Sequence, residues 1–448
     1  MTDFPFHSLG AVSFAGPLPE SSDVVVIGGG VVGVTTALFL ARAGHSVTLL
    51  EKGRIAGEQS GRNWGWIRQQ GRDPDELPIM IEANAHWRAL ASETNVDIGL
   101  TTGGVTYLAP TDAQMEKYAA WLPHALAHGV DTRMVSAADV KTLIPGLTGH
   151  YVGAMYTASD MRAEPWVAVP ALAGIAARAG AKIIERCAVR TLDLAAGRIS
   201  GVITEAGRIA TSEVVLAGGA WSSLFLRRHG VSLPQLSVRA TVAALDAADM
   251  AYQGGAADDK IAFRARKDGG YSVAAGGFHE LFVGPDAFRA LPKFLTQLRA
   301  DPFGTRFYPA APRDYPDSWR TARHWAADEQ TPFERQRLLD PKPNAAKVRQ
   351  LKRDFAARFP NLGPVRLRTA WAGMIDTMPD VVPVIDRIAS VPGLTVGTGM
   401  SGHGFGIGPG VGRVLSSLVT GDDPGHILSR FRFDRFADGS PMRLGPAL

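Results

Sequence analysis

The sequence predicts an α/β chain in which a discontinuous Rossmann-like domain carries a second, α+β domain built on a mostly antiparallel sheet. Three observations point there. An apolar β-branched run, Val24 to Ile27, meets three consecutive glycines and then an apolar segment of helix length. A second such run, Glu213 to Ala217, also ends in glycines, Gly218 and Gly219. Between about Leu236 and Pro364 the pattern changes to alternating strands, Pro-rich loops and polar helices. At 448 residues the chain exceeds what one core usually supports, so two packed domains are expected.

Taken in order, Val24 to Ile27 reads as a parallel strand buried on both faces. A helix from about Val31 to Ala43 follows, Gly44 stops it, and Ser46 to Glu51 is the second parallel strand, completing a βαβ unit. Helical patterns over Leu77 to Glu93 and Asp112 to His128 enclose a β-like piece, Gly104 to Leu108. An Ala-rich helix, Pro165 to Gly180, leads into strands at Lys182 to Ile184 and Ile199 to Thr204. A polar helix runs from Asn344 to about Phe359, and Gly-rich, β-branched runs return near Val365. The nucleotide domain is therefore expected from residues 22–80, 165–235 and 365–448, and the second domain from 81–164 and 236–364. No internal repeat or low-complexity tract interrupts this order.

Composition narrows the class. Hydrophobic residues make up 46% and charged residues 20%, with a mean hydropathy of +0.01, which is the profile of a globular enzyme and not of a disordered chain. The net charge of +4 is small and dispersed, which argues against a nucleic-acid partner and suits an anionic substrate. Cys187 is the sole cysteine, so no intramolecular disulfide, Cys-rich zinc site or thiolate-held cluster forms within this chain, and no metal is expected. The uncharged stretch Val24 to Ala41 carries three consecutive glycines and a strand-turn-helix pattern, so it reads as a buried soluble unit and not as a membrane span. Residues 1–20 lack a basic n-region and an apolar h-region, so a cytoplasmic location is expected, with peripheral contact to an inner membrane as the variant.

The first chemistry-bearing motif is Gly28-Gly29-Gly30-Val31-Val32-Gly33, a GxGxxG directly after a strand and at the start of a helix. Backbone amides and the helix dipole there can hold a pyrophosphate. Glu51 ends the second strand 23 residues after Gly28, where its carboxylate can accept from ribose hydroxyls, and it disfavours the extra phosphate of NADP. The second motif lies between Gly399 and Gly412, a stretch holding seven glycines that feeds an apolar helix and can aim amides and a positive helix end at a ligand.

With these segments in view the chain resembles the D-amino acid oxidase superfamily of FAD-dependent oxidoreductases, which includes glycine and sarcosine oxidases and D-amino acid dehydrogenases. The resemblance runs from about residue 22 to 424. It is carried by Val24 to Glu51, Ser60-Gly61-Arg62-Asn63, Val214 to Ser222, Trp371-Ala372-Gly373 and Gly399 to Phe405, in the family's order. Ser60 to Arg68 is similar to the flavin-adjacent loop of sarcosine-oxidase and opine-oxidase beta-type subunits. The resemblance implies FAD contacts at Gly28, Gly30, Val31, Val32, Gly33, Glu51 and Lys52. It also implies contacts from Ser60, Gly61, Arg62, Asn63, Trp64 and Gly65, from Val189 at the adenine, and from Gly218 and Trp221 near the ribose or pyrophosphate. Gly373, Gly399, Gly402, His403, Gly404, Phe405 and Gly406 complete the implied set.

Departures from the family are informative. Relatives with covalent flavin carry a cysteine near the segment matching Trp371 to Asp380; none stands here, so non-covalent FAD is expected. The carboxylate-binding arginine of a Trp-x-Gly-x-Arg pattern is absent, since Ile375 occupies its place. Arg68, Tyr271, Arg264 and Arg266 are the candidate replacements, the last two alternating as solvent-facing strand residues do. Arg68, Tyr271 and His403 are the candidate catalytic residues. The expected reaction is oxidation of the C–N bond of a small amine or amino acid, secondary, N-substituted or D, to an imine. Oxygen, a quinone or another carrier takes the electrons, and a homo-oligomer or second subunit is compatible. The alternatives are an FAD-dependent 2-hydroxy acid dehydrogenase and a non-catalytic flavin-binding assembly protein; an RNA-modifying role lacks a basic-aromatic cluster.

Overall fold

The computed structural model describes residues 12–248, 251–277 and 279–445; residues 1–11 of the leader reading lie outside them. Two sheets organise the chain. The first has six strands in the order Val384–Arg387, Leu394–Thr398, Glu213–Leu216, Val24–Ile27, Val47–Leu50 and Lys182–Ile184. Every neighbouring pair is parallel except Val384–Arg387 with Leu394–Thr398. Val25 and Val26 are fully buried, as a strand covered on both faces requires.

Helix Val31–Arg42 follows the first strand and packs on the C-terminal helix Gly404–Thr420. That approach depends on small residues: a Cβ at Gly412 would lie 2.2 Å from Thr35 Oγ1, and one at Gly408 2.7 Å from Val31 Cγ1. Helix Leu77–Glu93 closes the same layer, where Trp87 Nε1 donates to the Gly406 carbonyl at 2.9 Å. Among the described residues no helix is long and apolar enough to cross a membrane.

The second sheet has ten strands and is mostly antiparallel. Its spine is Leu236–Asp246, paired on one side with Tyr271–Ala275 and on the other with Arg366–Thr377 along most of its length. Arg366–Thr377 thus joins this sheet and not the nucleotide sheet, and the return to the latter comes at Val384–Arg387 and Leu394–Thr398. Helix Ala345–Arg358 covers one face, with Phe355 and Phe359 against Phe263 at ring separations of 5.8 and 5.2 Å. The single helix expected over Asp112 to His128 is two, Asp112–Ala119 and Leu122–Ala127. Pro123 explains the break, since it has no N–H to continue the ladder and sits in the first turn of the second helix.

Candidate active site

A cavity of about 1100 Å³ extends from the ends of the parallel strands to the second sheet. At its first end Gly28, Gly30, Val31 and Val32 form the wall. Gly28 has φ +112°, and a Cβ there would meet the Ala217 carbonyl oxygen at 2.4 Å, so the backbone passes where only glycine fits. Gly33 does not line the cavity. Its missing Cβ would lie 2.0 Å from the Gly28 oxygen, so it serves the close packing of helix on strand. Glu51 lines the same end, its carboxylate accepting from Gly29 N–H and Gly53 N–H at 2.7 Å each. Burial raises its pKa, opposed by Lys52 and by those amides. Lys52 Nζ donates to Glu58 at 2.7 Å and to the carbonyls of Gln336 and Arg337, 4.4 Å from the Trp221 ring centroid. Val189, Gly218 and Trp221 complete this end.

The middle of the cavity is walled by Ser60, Arg62, Asn63 and Trp64. Asn63 fixes this loop: its Nδ2 donates to the Ser60 carbonyl at 2.9 Å, and its Oδ1 accepts from Gly65 N–H at 2.7 Å. Arg62 is buried and ties the loop to the Gly57 and Ala372 carbonyls. Facing it are Gly373 and the segment Gly402 to Gly406, where helix Gly404–Thr420 begins with His403 at its N-cap. Gly61, Gly65 and Gly399 are not on the cavity surface. Asp376, which the sequence reading did not single out, is; it is buried, and its Oδ2 accepts from Gly399 N–H at 2.8 Å and Gln235 Nε2 at 3.1 Å.

At the far end Arg68, Arg72, Tyr107 and His403 converge. The Arg68 guanidinium lies 5.3 Å from the Tyr107 ring centroid, and its Nη1 donates to the Gln70 carbonyl. Burial, together with the positive charge of Arg72, pushes His403 down to about 4, so its ring is neutral near pH 7. Tyr107 and Arg72 were missed from the sequence. Tyr107 reaches the site through the pairing of strand Val105–Ala109 in the second sheet, and Arg72 sits in a loop with no periodic signal.

Three expectations are corrected here. Tyr271 is 1% exposed in the core of the second sheet, donates its hydroxyl to the Ala248 carbonyl at 2.7 Å and does not reach the cavity. Arg264 is fully buried and held by both oxygens of Glu164 at 2.8 Å, so it has no face for a substrate carboxylate. Arg266 is also buried and is bound to Asp268 and to the carbonyls of Gly269 and Tyr271. Neither arginine faces solvent.

The residues present fit FAD. The glycine cradle admits a pyrophosphate against backbone and helix N-terminus, and Glu51 offers acceptors for ribose hydroxyls. The N-terminal end of Gly404–Thr420 supplies a positive dipole end at the middle of the cavity.

Comparison with known proteins agrees. The family model described as FAD dependent oxidoreductase matches residues 23–418. Mitochondrial sarcosine dehydrogenase of Homo sapiens is 34% identical over 236 residues, covering 50% of this chain but 25% of that relative, so the match spans about a quarter of its length. Glycine oxidase of Pseudomonas aeruginosa is 26% identical over 414 residues, covering 90% of this chain and 96% of the relative. Among solved structures, the L-amino acid deaminase of Proteus myxofaciens in complex with anthranilate superposes with a TM-score of 0.90 at 31% identity, covering 96% of each chain. The chain belongs to the family of FAD-dependent oxidoreductases, and FAD is its cofactor.

Proposed function

We propose that the protein oxidises the C–N bond of a small amino acid, N-substituted or primary, to an imine that water then hydrolyses to a carbonyl compound and an amine or ammonia. The observation that carries this reading is one continuous cavity that joins the FAD cradle to a wall bearing Arg68, Tyr107 and His403. FAD supplies the hydride acceptor when bound. Arg68 offers a planar fork to a substrate carboxylate, and that contact orients the α-carbon. Neutral His403 presents a hydrogen-bonding ring without adding a positive charge beside an amine. Trp64 and Trp66, at a ring separation of 5.5 Å, line the same region and exclude water from the reacting C–H. The α-hydrogen leaves as hydride and the amine proton leaves to solvent, so the imine forms with the two-electron balance closed.

Anaerobic titration of the holoenzyme with N-methyl, opine-type, D- and L-amino acids, followed by the flavin absorbance, tests this. Bleaching by one amine class and not by 2-hydroxy acids is expected. Bleaching by hydroxy acids alone would move the assignment to a 2-hydroxy acid dehydrogenase, and a flavin that no substrate reduces would make the chain a non-catalytic flavin binder. Readmitting air then separates an oxidase from an enzyme that needs a quinone or another carrier.

The flavin is expected to be held without a covalent bond. Cys187 is buried in the nucleotide-side core, away from the cavity, and Gly373 carries no nucleophile. Acid precipitation should release all the flavin into the supernatant; yellow fluorescence retained by the denatured polypeptide on a gel would refute this.

A further inference from the structure

Behind the cavity wall, one carboxylate sits between two groups that line it. Glu76 is 1% exposed and does not reach the cavity surface; its Oε2 lies 3.9 Å from Arg72 Nη1 and 3.5 Å from His403 Nδ1. Both contacts are too long for good hydrogen bonds, and among the described residues neither Glu76 oxygen nor Arg72 Nη1 has a hydrogen-bond partner. Arg72 is itself 2% exposed, yet lines the cavity. Its backbone carbonyl accepts from Trp121 Nε1 at 2.9 Å and its Nε donates to the Arg68 carbonyl at 3.1 Å, so the loop and the plane of the guanidinium are fixed. A buried guanidinium with an unmet donor, pinned at a cavity wall, is costly unless an anion completes it.

We infer that Arg72 is a second carboxylate-binding residue of the substrate site, and that Glu76 is a resident counter-ion which the substrate carboxylate displaces electrostatically. The inference rests on the amino acid reading above and names what recognises the acid group. Glu76 neutralises Arg72 loosely while the site is empty. An arriving carboxylate pairs with the Arg72 guanidinium where that residue lines the cavity, and Glu76, behind the wall with Nη1, is left to His403. Burial and the neighbouring Arg68 hold Arg72 down at about 10, which leaves it cationic at any working pH. Burial alone would raise Glu76, but His403, Arg72 and Arg68 keep it below the usual range and therefore ionised, as a counter-ion must be. A positioning residue of this kind weakens anion binding while it preserves the cation. That sign is opposite to what a purely structural glutamate would show.

The test compares anthranilate with its carboxylate-free analogue aniline, each titrated into the holoenzyme by perturbation of the flavin spectrum. Arg72→Gln is expected to weaken anthranilate at least tenfold, about the scale of a charged hydrogen bond, and to leave aniline unchanged. Arg72→Lys should fall between. Glu76→Gln is expected to tighten anthranilate roughly fivefold by removing the competing charge. Misfolding cannot produce that gain, and FAD occupancy and the unfolding midpoint serve as folding controls. With any amino acid that reduces the flavin, Arg72→Gln should raise KM more than it lowers kcat. If Glu76→Gln leaves the anthranilate-to-aniline ratio unchanged or lowers it, or if Arg72→Gln weakens both ligands equally, the inference is overturned. If no amine bleaches the flavin, the functional reading fails separately, because the two binding titrations need no turnover.

Discussion

Replacing Gly33 by alanine is expected to strip FAD from the protein and to destabilise it by about 3 kcal/mol, the upper part of the range for forced overpacking. The argument is steric. The alanine Cβ would lie 2.0 Å from the Gly28 carbonyl oxygen, 3.2 Å from its carbon and 3.4 Å from Ala217 Cβ. The first contact is backbone, so no side chain can rotate away. Helix Val31–Arg42 has to move off the strand end by more than an ångström, and that shift carries Val31 and Val32 out of the cradle. The same helix is locked from outside by Gly408 and Gly412 of the C-terminal helix, so displacement on one side creates strain on the other. The flavin-to-protein absorbance ratio and the urea midpoint measure both effects. Gly174→Ala is the control: its Cβ meets nothing nearer than Arg178 Nη1 at 3.6 Å, inside helix Pro165–Arg178, so alanine there should be neutral or stabilise by about 0.5–1 kcal/mol. If Gly33→Ala retained FAD with unchanged affinity, the packing account of the third glycine would fail.

What could be read from the sequence follows how locally each signal is encoded. The first βαβ unit, Val24 to Glu51, is specified by residues within 28 positions of one another, and strand, glycines, helix and acidic end all stand where their periodicity puts them. The glycine-rich entry to helix Gly404–Thr420 is local in the same way. Arg366–Thr377 is not. A strand of this mixed composition is compatible with either sheet, and its choice is made by Leu236–Asp246, about 130 residues earlier. Alternation in Ile261–Ala265 separates two faces, Phe263 toward the helix Ala345–Arg358 and Arg264 the other way, but it does not say that both faces are covered. Hence an arginine that reads as solvent-facing is a buried ion-pair partner. Tyr107 and Arg72 escaped for a related reason: each enters the site by tertiary placement, and nothing in their neighbours announces it. The break at Trp121, by contrast, is local: Pro123 cannot continue the hydrogen-bond ladder and stands in the first turn of helix Leu122–Ala127.

Breaking the buried pair Arg264–Glu164 is expected to cost about 3–5 kcal/mol, because the partner left behind is an uncompensated charge in the interior. Arg264 donates from Nη1 and Nη2 to the two Glu164 oxygens at 2.8 Å, from Nη1 to the Ala265 carbonyl at 3.0 Å, and from Nε to the Trp64 carbonyl. Glu164 also accepts from Lys267 N–H at 2.8 Å and lies 3.8 Å from Arg162, itself buried. Glu164→Ala therefore strands two guanidinium groups, and the larger loss is expected from that side. At about 2 °C per kcal/mol, the thermal midpoint should fall by roughly 6–10 °C. The double replacement Arg264→Met with Glu164→Leu should recover most of it, since an apolar pair carries no desolvation cost. Burial would raise the Glu164 carboxyl, but Arg264 holds it below its ordinary value. A depressed folded pKa means the pair's stabilisation is complete above the unfolded carboxylate range and disappears as pH falls through the folded value. The gap between parent and Glu164→Ala should accordingly narrow in acid and stay constant from neutral pH upward. The consequence reaches the site through Trp64, whose carbonyl Arg264 grips and whose ring lines the cavity. Flavin fluorescence should rise in Glu164→Ala at temperatures well below unfolding, as the loop carrying Trp64 loosens against the cofactor. A variant that lost stability with no change at the flavin would confine the pair to the scaffold of the second sheet.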